Sequence, residues 1–236
     1  MPSETDMTMH HLLEPLRGAL IVSVQVHRAD DPLRGPAIMA AIARAAVEGG
    51  AAGIRCGGIG GLPDVEAVCA AVDVPVIGLW KDGDTDVYIT PSVDHAVAVA
   101  AAGASIVAID GTARVRPDGS TFADAVRAVH AAGALVLADV STEDEALAAE
   151  AAGADAVATT LAGYTPGRTR TPGPDLVLVE RLAARITVPV IAEGRYHRPA
   201  DAAAAITAGA HAVVVGTAIT VPAWITTNFR EALPRR

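Results

Sequence analysis

VPVIAEGRYH, residues 188–197, is the stretch on which the reading of this chain turns. Its opening residues are apolar and suit a buried strand, yet they run without a break into Glu193, Gly194 and Arg195. VPVIGLWK, residues 74–81, is a partial copy that opens in the same way and again ends on a charge, Lys81. Continuous apolar runs of this kind belong to strands buried on both faces. A charge at the end of such a run marks the point where the strand meets water or a site.

Outward from these two stretches, short Val- and Ile-rich runs recur at 20–25, 52–56, 74–81, 106–110, 135–139, 156–160, 188–193 and 212–216. Between them lie Ala-rich segments of helical period, such as DHAVAVAAAGA, ADAVRAVHAAGA and EDEALAAEAAGA, each closing at glycine as a helix C-terminus does. AAGASIVAID, AAGADAVATT and TAGAHAVVVG are one helix-end-to-strand unit written three times, and GGAAGIR is a looser copy. Strands alternating with helices predict a parallel sheet covered by helices. Eight units at spacings of roughly 20–30 residues predict an α/β chain folded as a (β/α)8 barrel. No linker or low-complexity tract divides it, so a single domain over residues 1–236 is expected, with 1–16 an N-terminal extension or short helix.

Composition narrows the classes of function. Hydrophobic residues make up 51% of the chain and aromatics only 3%, so the core is built from Ala, Val, Ile and Leu. A net charge of −9 disfavours nucleic acid and anionic membrane surfaces as partners. The 2 cysteines, Cys56 and Cys69, are too few for a disulfide framework. No secretory signal or membrane span is legible, and a reducing, cytoplasmic setting is the expectation. The high alanine content permits close helix packing between subunits, which leaves a homo-oligomer open.

The strand ends carry the chemistry: Gln25, Arg55, Lys81, Asp110, Asp139, Thr160, Glu193 and Gly216. In a barrel these ends converge on one mouth, where active sites of the fold lie. Aligning the two VPVI copies gives Lys81 and Glu193 the same parity, hence the same face, with Pro75, Ile77, Leu79 and Pro189, Ile191 behind them. An amine and a carboxylate at the ends of apolar strands have their pKa values shifted by desolvation toward the range useful for general acid–base work. The loops after the last two strands bear Gly194–Arg195 and Gly216–Thr217, at the place where barrels frequently hold phosphate. The histidines, including His10 and His11 in the N-terminal tail, lack the spacing of a metal site, and CGGIGGLPD lacks the spacing of a dinucleotide fingerprint. No metal or cofactor is therefore expected.

GGAAGIR (49–55), VPVIGLWK (74–81), YITPS (88–92), IVAID (106–110), RVRPDG (114–119), LADVST (137–142), TTLAGYT (159–165), VPVIAEGR (188–195) and AVVVGTAIT (212–220) occur in order along the chain. Through them it resembles the bacterial N-acetylmannosamine-6-phosphate 2-epimerase family over nearly its whole length. The resemblance implies a metal-free N-acylglucosamine-6-phosphate 2-epimerase acting on a small amino sugar phosphate in sialic acid and amino sugar catabolism. It implies that Lys81 and Glu193 are the acid–base pair at C2 of the open-chain sugar, with Asp139 able to share that duty. Gln25, Arg55, Asp110 and Tyr164 are the substrate-binding candidates, and Gly194, Arg195, Gly216 and Thr217 those for phosphate. The chain departs from the family at Val221, where a phosphate-binding arginine is usual, and at Gly57, where an asparagine is usual. Arg195, Arg168 and Arg170 are candidates to compensate for Val221. A non-catalytic phosphosugar-binding module and a metal-dependent pentulose-phosphate epimerase of similar fold stand as alternatives.

Overall fold

A computed structural model describes residues 12–234. Eight strands close into a parallel barrel in chain order: β1 Ala19–Val24, β2 Gly53–Gly58, β3 Val76–Trp80, β4 Ile106–Asp110, β5 Leu135–Asp139, β6 Ala156–Ala158, β7 Val190–Glu193 and β8 Ala212–Val215. Each overlaps a run read from the sequence, though the ends differ. β2 continues to Gly58, β3 stops before Lys81, and β6 stops before Thr159 and Thr160. The helices are α1 Pro36–Glu48, α2 Gly61–Cys69, α3 Val93–Ala101, α4 Phe122–Ala131, α5 Glu143–Ala151, α6 Leu176–Arg185, α7 Pro199–Thr207, the short α8 Thr217–Thr220, and α9 Pro222–Ala232. None is long and apolar enough to cross a membrane.

Local sequence starts the helices. Ser92 caps α3, while Thr121 with Asp124 and Thr142 with Glu145 form capping boxes on α4 and α5. Each reciprocal pair satisfies two otherwise unpaired backbone donors, which stabilises the Ala-rich helix behind it by about 1 kcal/mol.

Strand parity then separates two apolar layers. Ile21, Ile77, Leu79, Ile106, Leu137, Ile191 and Val214 fill the barrel interior, with Ala108, Ala156, Ala158 and Ala212 giving room among them. Val22, Val24, Ile54, Val107, Val136 and Val213 face outward and pack under the helices. Full burial of one such side chain contributes about 1.5–3 kcal/mol. The shared interior parity of Ile77, Leu79 and Ile191 is as the copied VPVI strands required.

The expected N-terminal extension is part of the core where it is described. Leu13 and Leu16 are buried in the interior cluster around a 3-10 turn at Glu14–Leu16, and Leu13 O lies 2.7 Å from His211 Nε2. They close the end of the barrel opposite the strand C-termini. Residues 1–11, with His10 and His11, lie outside the described residues.

Candidate active site

The strand C-termini open on a cavity of about 290 Å³. Among the predicted residues, Gln25, Arg55, Lys81, Tyr164, Glu193, Gly194, Arg195, Gly216 and Thr217 all line it. Barrel closure brings together side chains from β1, β2, β3, β7 and β8 that the sequence separates by up to 192 positions (217 − 25).

At its floor sits a buried charge cluster. Arg55, 1% exposed, donates from Nη1 and Nη2 to Asp139 Oδ1 and Oδ2 at 3.0 and 2.5 Å. The same Nη1 lies 3.1 Å from Glu193 Oε2, an ion pair in which no donor is aligned to hydrogen-bond that oxygen. Thr160 Oγ1 donates to Asp139 Oδ1 at 2.6 Å. Arg55 Nε is likewise buried with no partner among the described residues. A donor and an acceptor without hydrogen-bond partners at the base of a cavity are groups a ligand can satisfy.

Burial sets the ionisation of this cluster. Desolvation pushes the Glu193 carboxyl above its ordinary range; Asp139 adds to this, and the Arg55 and Lys81 cations only partly oppose it. Desolvation, then Arg55, pulls the Lys81 ammonium below its ordinary value despite the nearby Glu193 and Asp139 carboxylates. Burial works against the Arg55 charge as well, but Asp139 and Glu193 outweigh it and hold the guanidinium firmly charged. One fixed cation thus stands beside an amine and a carboxyl whose proton affinities approach each other.

The structure engages three of the predicted side chains with partners inside the protein. Asp139 is 0% exposed and does not line the cavity, because Arg55 and Thr160 occupy both its oxygens. Asp110 is also off the cavity wall; Thr112 and Arg114 engage its carboxylate. Arg195 contributes backbone, not a free cation: its guanidinium donates to Gly173 O, Ala162 O and Thr171 Oγ1 at 2.8, 2.8 and 3.0 Å. The proposed compensators fare no better. Arg168 is held by Asp175, Arg170 stacks 4.9 Å from the Tyr164 ring centroid, and neither lines the cavity.

The Gly-bearing loops supply backbone donors instead. Gly194 at φ 109° and Arg195 at φ 62° turn the chain after β7, and among the described residues neither N–H is bonded to a carbonyl; the same holds for Gly216 and Thr217 after β8. Successive free N–H groups of this kind form an anion-binding concavity. Val221 lies elsewhere, in a neighbouring cavity of about 210 Å³ that shares Gln25 and His27 with the main one. Gly57, the other departure, pairs with Leu79, and a Cβ there would stand 1.9 Å from Leu79 O at φ 105°. The β2–β3 pairing in this chain therefore requires glycine at that position.

Sequence reading missed Ser23, His27, Tyr88, Tyr196 and His197, all of which line the cavity. Parity could have found two of them, since Ser23 and His27 share the parity of Gln25, and Gln25 Nε2 donates to Ser23 Oγ at 2.9 Å. Tyr88 returns from a loop and has no such signal. Among the described residues no group of three or more His, Cys, Asp or Glu side chains is placed to hold a metal ion.

Residues 39–235 match the model of a family described as "Putative N-acetylmannosamine-6-phosphate epimerase". A protein of Corynebacterium glutamicum described as "Putative N-acetylmannosamine-6-phosphate 2-epimerase" is 49% identical, over 94% of this chain and 96% of its own length. One of the same description from Cutibacterium acnes is 48% identical over the same shares. The solved N-acetylmannosamine-6-phosphate 2-epimerase of Clostridium perfringens superposes with a TM-score of 0.89 at 39% identity, over 94% of this chain and 96% of that one.

Proposed function

Since this chain belongs to the N-acetylmannosamine-6-phosphate epimerase family, we propose that it interconverts N-acetylmannosamine 6-phosphate and N-acetylglucosamine 6-phosphate by acid–base proton transfer at C2. The observation that carries this reading is that Lys81, after β3, and Glu193, on β7, line the same cavity from opposite sides of the barrel, their proton affinities drawn together around the Arg55 cation.

In the open-chain sugar the C2 hydrogen is acidified by the C1 aldehyde. Removing it from one face and returning a proton to the other inverts C2, and the enolate between is planar at that carbon. In one direction the Glu193 carboxylate takes the C2 proton and the Lys81 ammonium delivers one to the opposite face; in the other direction the roles exchange. Both directions run on a pair holding one transferable proton, which fits a raised carboxyl and a lowered ammonium. The Arg55 guanidinium stabilises the enolate charge, and Asp139 fixes its orientation. Asp139 then acts through Arg55 instead of touching the sugar. The N–H groups of Gly194, Arg195, Gly216 and Thr217 are the seat proposed for the 6-phosphate, with His197 beside them on the rim.

The test is turnover of either sugar phosphate in D2O. Epimer with deuterium at C2 is expected. Tight binding of the sugar phosphate with neither epimer nor label would overturn the catalytic reading in favour of a phosphosugar-binding module.

A further inference from the structure

Behind the cavity wall lies a buried polar cluster that the reaction above does not use. After Lys81 the chain loops outward through exposed residues 82–86 and returns at Ile89 as an antiparallel bridge to Lys81. Two backbone bonds close this loop: Asp82 N donates to Tyr88 O at 3.1 Å, and Thr90 N to Trp80 O at 2.7 Å. Thr90 is 0% exposed and sits at φ 47°. Among the described residues Thr90 and Arg195 alone are non-glycine at positive φ, and Arg195 belongs to the cavity wall. Left-handed backbone is a strained state for a β-branched residue and persists only where the surroundings over-determine it.

Here they do. The Thr90 hydroxyl donates to Ala108 O at 2.7 Å and accepts from Trp80 N at 3.3 Å, tying the loop to both β3 and β4. The Thr90 carbonyl accepts from Arg116 Nη2 at 2.7 Å, and Arg116 Nη1 donates to Asp110 O at 3.2 Å. Arg116 is 6% exposed and has no carboxylate within ion-pair distance among the described residues. It buries a guanidinium against two main-chain carbonyls, one at the foot of the Lys81 loop and one at the end of β4. Neither Thr90 nor Arg116 lines the cavity.

We propose that Arg116 and Thr90 are positioning residues for Lys81: they clamp the 81–90 loop to the end of β4 so that the amine is held over the sugar's C2 and away from water. This rests on the epimerase reading. Lys81 faces Arg55 on β2, Glu193 on β7, Asp139 on β5 and His27 after β1. Those partners stay in place when the clamp is cut, so the change felt by Lys81 is hydration. Its proton affinity then rises toward the ordinary 10.5. The phosphate loops lie after β7 and β8 and are not joined to Arg116.

The variants are Arg116→Met, Thr90→Gly, which accepts the left-handed backbone but lacks the hydroxyl, and Thr90→Ser, which keeps the hydroxyl. Arg116→Met and Thr90→Gly are expected to lower kcat at least about 10-fold. In both, KM changes less than about 3-fold and the basic limb of the pH–kcat profile moves to higher pH. Thr90→Ser stays within about 3-fold of the parent on both constants. In parallel, competitive acetylation of the Lys81 amine as a function of pH, read by mass spectrometry, reports its pKa without requiring turnover. A rise in that pKa in Arg116→Met or Thr90→Gly supports the clamp even if the parent shows no epimerase activity, which would sink the functional reading alone. An unmoved Lys81 pKa in a folded Thr90→Gly or Arg116→Met protein, or a loss of kcat with an unmoved basic limb, overturns it.

Discussion

Asp139→Asn separates a residue that transfers protons from one that holds a cation in place. The substitution keeps the shape and deletes the charge. Asp139 and Arg55 are 0% and 1% exposed and joined by bonds of 3.0 and 2.5 Å. The Asn oxygen can still serve Arg55 Nη1 and the Thr160 hydroxyl, which share Oδ1 now. The Asn amide would then face Arg55 Nη2, donor against donor. Leaving a buried guanidinium short of its main counter-charge costs about 3–5 kcal/mol of stability. For a chain of this length that lowers the melting temperature by roughly 6–20 °C. Loss of one charge-assisted bond orienting Arg55 removes about 1.5–3 kcal/mol from the chemical step, roughly a 10- to 150-fold fall in rate. The signs at the neighbours are also fixed. Asp139 raises the proton affinity of both Glu193 and Lys81, so its neutralisation lowers both. The pH–rate profile moves to the acid side as a whole. Thermal melting and C2 deuteration across pH measure the two effects. A variant that melts with the parent refutes the counter-ion argument, and one that incorporates no label at any pH refutes the positioning role and restores Asp139 to the proton-transfer step.

Lys81→Ala and Glu193→Gln should each lower turnover at least about 100-fold with circular dichroism and melting near the parent; near-normal turnover in either removes that residue from its role. For the parent, the profile of kcat should be a bell whose acid limb lies above 4.5, because Glu193 is raised, and whose basic limb lies below 10.5, because Lys81 is lowered. Limbs at or outside those values would mean that burial does not tune the pair. His197 packs against Trp224 in a tilted contact with ring centroids 4.6 Å apart, beside the Gly194 loop. His197→Gln should raise KM for the sugar phosphate about 3- to 10-fold, leave kcat alone, and not affect binding of the unphosphorylated sugar; equal losses for both sugars would place the phosphate elsewhere.

What was legible in the sequence was whatever obeys a short period. Strand runs, helix-closing glycines and capping pairs repeat along the chain, so the barrel and its order could be read from it. Interior parity carried Lys81 and Glu193 to one cavity because Ile77 and Leu79 on β3 and Ile191 on β7 lie beneath them on the interior face. Parity fails once the chain leaves the strand. Asp110 and Asp139 end their strands as level neighbours in the sheet, and the rule of strand ends placed both on the rim. Side chains that arrive from other elements decided otherwise: Arg55 and Thr160 cover one, Arg114 and Thr112 the other. Arg195 shows the same limit. A guanidinium beside a phosphate loop invites a phosphate contact, yet the carbonyls of Gly173 and Ala162 are nearer partners, and neither is marked by residue type.

That limit has a physical origin. A backbone carbonyl left unpaired by a loop is invisible in sequence, yet burying it without a donor costs about 1–3 kcal/mol, enough to claim a nearby arginine. In this chain Arg195 and Arg116 both answer such carbonyls, the first in the wall and the second behind it. Arg55 alone, among the three, is committed to carboxylates, and it stands where the reaction would develop negative charge. The distribution follows from competition for donors: arginines that meet loop carbonyls become scaffold, and the one that meets only strand-borne carboxylates in a dry cavity keeps an unpaired Nε for a ligand. Supplying a carbonyl-free surrounding, more than supplying a cation, is what distinguishes the working arginine from the structural ones.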